Sequence, residues 1–152
     1  MNNLNRILLI HPPIKRVERY TSNIGEAGGD QIPLGIYYLA SALRNNSFEV
    51  KAIDAAACKN TIEDILYEIR QFSPQYVGIS ATTVAFHRAV ELASCIKQNF
   101  NEITIILGGT HITSNPYHAM ESTIFDYGVL QEGEQTIIEL LNALLNHNDL
   151  SN

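Results

Sequence analysis

Tryptophan is absent and cysteine nearly so: Cys58 and Cys95 stand far apart in a chain of 152 residues. Neither lies in a paired motif, so a disulfide framework, a zinc site or an iron–sulfur cluster cannot be built from them, and both read as small buried hydrophobes. Aromatic residues make up 8% of the chain, too few for a platform that stacks single-stranded nucleic acid. Positive charge is scarce as well, with 10 Lys and Arg against 16 Asp and Glu, a net charge of −6. Without a basic stripe to neutralise phosphates, nucleic acid is not an expected partner. Apolar runs such as residues 7–10 and 103–107 fall far below the roughly 18 residues of a membrane span, and no signal-peptide pattern opens the chain. No membrane association is expected, and a cytoplasmic location is.

At 45% hydrophobic and 17% charged, the chain can bury one sizeable core but not two. Five short apolar segments, residues 6–10, 49–53, 76–80, 104–107 and 126–130, are rich in β-branched or aromatic residues and bounded by Gly, Pro, Asn or Asp, as strands are. Between them run stripes of helical period. Leu34, Tyr38, Leu39, Ala42 and Leu43 form the first; Ile62, Ile65, Leu66 and Ile69 the second; Ala89, Leu92, Ala93 and Ile96 the third; Ile137, Ile138, Leu141, Leu144 and Leu145 the fourth. Pro33 suits a first helical position, and Thr61 with Asp64 matches a capping box. Strand and helix therefore alternate. The predicted fold is α/β: a doubly wound, five-stranded parallel sheet, flavodoxin-like or Rossmann-like, in the order 2-1-3-4-5 with helices on both faces. Residues 11–32 form a connection of about 20 residues with two prolines and three glycines, where roughly 2 to 6 residues are usual.

In such sheets ligands bind beyond the carboxyl ends of the strands, where the strand order reverses, here between strands one and three. A dinucleotide needs Gly-x-Gly-x-x-Gly after the first strand, and that position reads His11-Pro12-Pro13-Ile14. Asp54 stands where a ribose-binding acid could, but reads as a strand-end turn residue. A flavin phosphate loop wants free N–H groups where two prolines remove them, and a phosphoacceptor domain wants an acid where Ser80 ends strand three.

What is present is different. Ser80, Thr82 and Thr83 place three hydroxyls ahead of a helix, either as a polar ligand site or as ordinary caps. Gly108 and Gly109 end strand four, either to let a flat ligand press on the backbone or to make a tight turn. Glu132-Gly133-Glu134 opens the last helix, where acids are favoured by the dipole in any case. His11 closes strand one and His111 follows the glycine pair, which puts both at the crevice; His87, His118 and His147 fall on or beside helices and read as solvated or satisfied residues.

In order along the chain, Ile7-Leu8-Leu9-Ile10-His11-Pro12-Pro13, Pro33-Leu34-Gly35-Ile36-Tyr37-Tyr38-Leu39-Ala40, Val50 to Asp54, Val77-Gly78-Ile79-Ser80 with Thr82-Thr83, Leu107-Gly108-Gly109-Thr110-His111 and Glu132-Gly133-Glu134 resemble the N-terminal cobalamin-binding domain of cobalamin-dependent radical S-adenosylmethionine enzymes. The resemblance implies a cobalamin whose nucleotide tail enters the crevice beside Ser80, Thr82 and Thr83 and passes Gly108, Gly109 and His111. It also implies that Glu132, Gly133 and Glu134 hold the ribose or tail, and that Pro12 and Pro13 shape the floor beneath the corrin. The Asp-x-His-x-x-Gly signature of proteins that give cobalt a histidine is absent, so base-off cobalamin is expected, with no metal ligand from this chain. Thr110 stands where the family often has Pro, and Gln131 where Gly is common.

Radical S-adenosylmethionine chemistry needs a [4Fe-4S] cluster on a Cys-x3-Cys-x2-Cys run, which two distant cysteines cannot supply. The resemblance therefore implies a binding module without catalysis of its own, residues 1–146. The polar tail, residues 147–152, would begin a linker to a radical S-adenosylmethionine domain of the same polypeptide, methyltransferase-like in its use of cobalamin. Two other readings fit the same crevice: a flavodoxin-like protein for another small molecule or nucleotide, and a regulatory domain with an empty cleft.

Overall fold

The computed structural model describes residues 5–19 and 32–146. Most of the long connection, residues 20–31, and the polar tail, residues 147–152 with His147, lie outside the described residues. Strands β1 (Arg6–His11), β2 (Glu49–Asp54), β3 (Tyr76–Ser80), β4 (Thr104–Gly108) and β5 (Tyr127–Gly128) form one parallel sheet in the order β2-β1-β3-β4-β5. The sheet is covered by α2 (Leu34–Asn45) and α7 (Gly133–Leu145) on one face and by α3 (Ile62–Phe72) and α4 (Phe86–Asn99) on the other. Short helices α1 (Arg16–Arg19), α5 (Thr110–Ser114) and α6 (Pro116–Glu121) lie in connections where no helix was expected. They are too short to show a period, although Pro116 opens α6 at a position that suits it.

Alternation of side chains along buried strands splits the core in two. Ile7, Leu9 and Ile106 pack with Ile36, Leu43, Ile137 and Leu141 on the α2/α7 face. Leu8, Ile10, Val77, Ile79, Ile105 and Leu107 pack with Ile65, Leu92 and Ile96 on the other. Each fully buried Ile or Leu contributes roughly 1.5–3 kcal/mol, so the sheet's central strands dominate stability.

The stripes expected for α3, α4 and α7 face the core, but that of α2 does so only in part, at Leu39 and Leu43. Ile36, Ala40 and Leu43 are its buried residues, whereas Leu34 and Tyr38 are exposed. Residues 34–40 are apolar around most of the helix, so periodicity admits two phases, and packing on the sheet selects the other. Pro33 stands at the N-cap, one residue before the helix. β5 is shorter than expected because it is an edge strand whose entrance is taken by a side chain: Oδ2 of Asp126 accepts from the Ile105 amide at 2.6 Å and from Lys97 at 2.7 Å. The cysteines depart from expectation too. Cys58 is exposed in the turn after β2, and Cys95 is half-buried on α4.

At the head of α3, Thr61 Oγ1 accepts from the Asp64 amide at 3.2 Å while Asp64 accepts from the Thr61 amide at 2.8 Å, the capping box expected there. Thr61→Ala should cost about 1 kcal/mol in urea unfolding, with the slope unchanged.

α1 is clipped to α4 by Glu18, which accepts from Arg88 Nε at 2.9 Å, from His87 at 3.3 Å and from the Lys15 amide at 2.8 Å. Burial pushes the Glu18 carboxyl up, but the Lys15 amide, Arg88 and His87 outweigh it and hold the carboxyl down at about 2. A depressed folded-state pKa stabilises the fold above the ordinary carboxylate range, and that stabilisation is lost as pH falls toward about 2. Amide protection factors across residues 15–19 should therefore fall over that window, and Glu18→Gln should show the lower protection already at neutral pH.

Candidate functional site

On the α2/α7 face the sheet presents two levels near its carboxyl edge. The deeper level is Leu9, Gly78 and Ile106, in register across β1, β3 and β4; two residues on, Ser80 pairs with Gly108 at the strand ends. The missing side chains leave room. A methyl group at Gly108 would meet nothing within 4 Å, and the same holds for Gly35 in the first turn of α2. The outcome is a slot of about 120 Å³ between the sheet, α2 and the head of α7. Above the strand ends lies a wider mouth of about 510 Å³ bordered by His11, Arg19, Ile32, Thr82 and Val84. Gly35, Ile36, Ser80 and Gly109 line both spaces, so slot and mouth adjoin.

The two glycines of the pair differ in their surroundings. Gly108 supplies open space. Gly109 makes the turn: its φ is +97°, and a methyl there would lie 2.6 Å from the Ala81 carbonyl oxygen.

Seven of the expected site residues come together. Ser80, Gly108, Gly109, Glu132, Gly133 and Glu134 line the slot, and Thr82 lines the mouth. Glu132 takes the N-cap position of α7 without a side-chain bond there, so neither acid near the slot is used up in capping. Nor do the threonines cap α4, whose N-cap is Ala85.

Pro12, Pro13, Thr83 and His111 border neither space. Pro12 is buried, and Pro13 borders a separate cavity with Ala55 and Lys59. His111 is turned away by α5, which starts beside it. Its ring is buried and stacked on Phe86 at 4.0 Å, with Nδ1 3.3 Å from the Thr83 hydroxyl and Nε2 3.2 Å from His118. Burial, then His118, lowers its pKa and keeps the ring neutral.

His11 stands at the mouth, buried, with Arg19 Nη2 2.8 Å from its Nε2. A guanidinium only donates, so Nε2 accepts and its lone pair is occupied. Burial lowers the His11 pKa most; Asp54 raises it, Arg19 lowers it and a backbone bond to Ser80 raises it, and the balance lies below the ordinary value. Asp54 itself accepts from the Ala57 amide at 3.1 Å, the strand-end turn expected of it.

Gly35, Gly78, Leu39, Ile106, Val129 and Ile137, none of them expected at the site, line the slot as Ser80 does. One signal was available: a glycine inside a β-branched strand, as in Val77-Gly78-Ile79, marks close approach.

Known proteins are similar to this chain in sequence or in fold. An uncharacterized methyltransferase (PH0819) of Pyrococcus horikoshii is 41% identical over 145 residues, covering 91% of this chain and 29% of that protein. The anaerobic magnesium-protoporphyrin IX monomethyl ester cyclase of Rubrivivax gelatinosus is 30% identical over 141 residues, covering 91% and 24%. The chain thus spans less than a third of the length of these curated relatives. Among solved structures, the radical S-adenosylmethionine methyltransferase TsrM of Kitasatospora setae, with cobalamin and a [4Fe-4S] cluster bound, superposes with a TM-score of 0.77 at 21% identity, over 96% of this chain and 27% of that one. The cobalamin-dependent S-adenosylmethionine radical enzyme OxsB, with aqua-cobalamin and S-adenosylmethionine bound, gives a TM-score of 0.78 at 20% identity, over 97% and 20%. These two show a common fold. The family model described as the B12 binding domain matches residues 20–141, and the chain belongs to that family.

Proposed function

We propose that this chain holds cobalamin with the corrin over the mouth and the nucleotide tail in the slot, as the cofactor-binding module of a larger radical S-adenosylmethionine protein. The observation that carries the reading is the slot kept open at Gly35 and Gly108, beneath a wider mouth at the strand ends. Ser80 and Thr82 offer hydroxyls to the amides and phosphate of the entering tail, and Glu132 and Glu134 accept from its ribose. Gly109 fixes the turn that frames the entrance. Pro12, Thr83 and His111 act from behind, packing the loops that carry these groups. Among the described residues at the mouth, His11 would not ligate cobalt, because its Nε2 lone pair already accepts from Arg19.

Bound cobalamin supplies a cobalt centre that carries an organic group between partners. The chain's own residues bind and orient it. In the proposed parent protein, the [4Fe-4S] cluster and S-adenosylmethionine belong to a second domain of the same polypeptide. The relative named a methyltransferase favours methyl transfer as the reaction, and the cellular site of that chemistry is the cytoplasm.

The purified chain mixed with hydroxocobalamin should elute from gel filtration with corrin absorbance; co-purified flavin or nucleotide, or no retained chromophore, overturns the reading. Gly108→Val fills open space, so retention should fall at least about tenfold with the melting temperature unchanged. Gly109→Val, by contrast, should lower the melting temperature, because its side chain meets backbone. Full retention by Gly108→Val removes the tail from the slot.

A further inference from the structure

The slot's chemistry is sharply divided by depth. Its polar side chains, Ser80, Gln131, Glu132 and Glu134, stand at the end of β3 or at the head of α7. The deep end is walled by Leu9, Leu39, Ile106 and Ile137 around Gly78, with Val129 beside Gly108 at the level of the strand ends. Backbone groups there are committed as well. Leu9 lies in ladders with β2 and β3, Gly78 with β1 and β4, and Ile106 with β3 and β5. On the helices, Leu39 and Ile137 lie past the first turn, where backbone is hydrogen-bonded within the helix, while the free N–H groups of the first turns stand at Gly35, Gly133 and Glu134 nearer the entrance. Among the described residues, a group at the bottom of the slot therefore meets apolar side chains and committed backbone.

We infer that the slot selects cobamides by their lower base, accepting an apolar dimethylbenzimidazole and discriminating against adenine. The inference rests on the tail-in-slot reading above. A base-off dimethylbenzimidazole has one free ring nitrogen beside its sugar and two methyl groups on the opposite edge. That nitrogen can stay near Ser80 while the methyls enter the apolar end. Adenine has three free ring nitrogens and an exocyclic amine distributed around both rings, so no orientation keeps all of them at the polar rim. Each one buried without a partner costs roughly tenfold in affinity. An apolar pocket rejects an added polar group by about a hundredfold at most, which bounds the effect.

The test is equilibrium dialysis of the full chain against three ligands: cobalamin, the adenine-bearing cobamide and cobinamide, which has no nucleotide tail. Cobalamin should bind between about tenfold and about a hundredfold more tightly than the adenine form, with cobinamide weaker than cobalamin. Leu39→Gln, which brings an amide to the slot from the half-buried side of α2, should narrow the gap between the two cobamides several-fold, with its fold checked by melting. Equal affinity for the two cobamides, both tighter than cobinamide, overturns the selectivity and leaves the tail in the slot. Cobinamide binding as tightly as cobalamin removes the tail from the slot and overturns the selectivity with it. Retention of none of the three overturns the cofactor reading itself.

Discussion

A doubly wound sheet must cover both of its faces, so space for a ligand inside it can come only from side chains left out. The two faces of this sheet show the constraint in adjacent rows. Ile10, Ile79 and Leu107, in register across β1, β3 and β4, are each at most 1% exposed and fill the α3/α4 face to contact. One residue back along the same strands, Leu9, Gly78 and Ile106 face α2 and α7, and one residue forward stand Ser80 and Gly108. Gly108, with Gly35 opposite it on α2, leaves volume empty on that face alone, whereas the space over Gly78 is taken by the Leu9 side chain. The other core cluster is undisturbed, so the fold keeps most of its apolar burial while opening a slot. Both faces contribute buried apolar surface, and the slot is cut into only one of them.

The polar groups of the mouth follow from the same geometry. His11 is the residue that follows Leu9 and Ile10 off the end of β1, and burial there disfavours its charged form. Arg19 caps its Nε2, and Arg19 is delivered by α1, a helix of four residues that Glu18 ties to Arg88 on α4. The histidine nearest the proposed corrin is thus held neutral with its lone pair engaged. A cobalt-ligating histidine needs the opposite arrangement, a free Nε2 with its other nitrogen donating to an acid or carbonyl.

All four long helices could be read from the chain because their evidence is periodic, and the sheet order followed from the alternation of strand and helix. Ala89, Leu92, Ala93 and Ile96 repeat at helical spacing and all four are buried. Where composition is uniform, period gives no phase: α2 carries Leu34, Ile36, Tyr37, Tyr38 and Leu39 in succession, and only contact with the sheet decides that Ile36 turns inward. The site was legible as loops and as small residues, less so as directions. Gly108 and Gly109 are adjacent and chemically identical, yet one faces open space and the other the Ala81 backbone. His111 occupies the expected place in the chain, but a helix beginning at Thr110 rotates its ring onto Phe86. The deep lining was hidden for a different reason: Leu9, Ile106 and Ile137 are core residues by every sequence criterion, and they line a slot because Gly35 and Gly108 leave space above them.

That wall also bears on how a module of this size can share its cofactor. Leu9, Ile106 and Ile137 are immobilised by the core whether or not a ligand is present, and glycines have no rotamers to lose. A tail entering the slot therefore gains apolar contact with little ordering cost, the condition under which modest area gives firm binding. The mouth is the reverse case. Ile32 and Val84 on its border are 68% and 49% exposed, so gripping a corrin there orders side chains that were free. In the proposed complex the slot anchors and the mouth merely supports, which leaves the outer corrin face available to a second domain without weakening the hold on the tail.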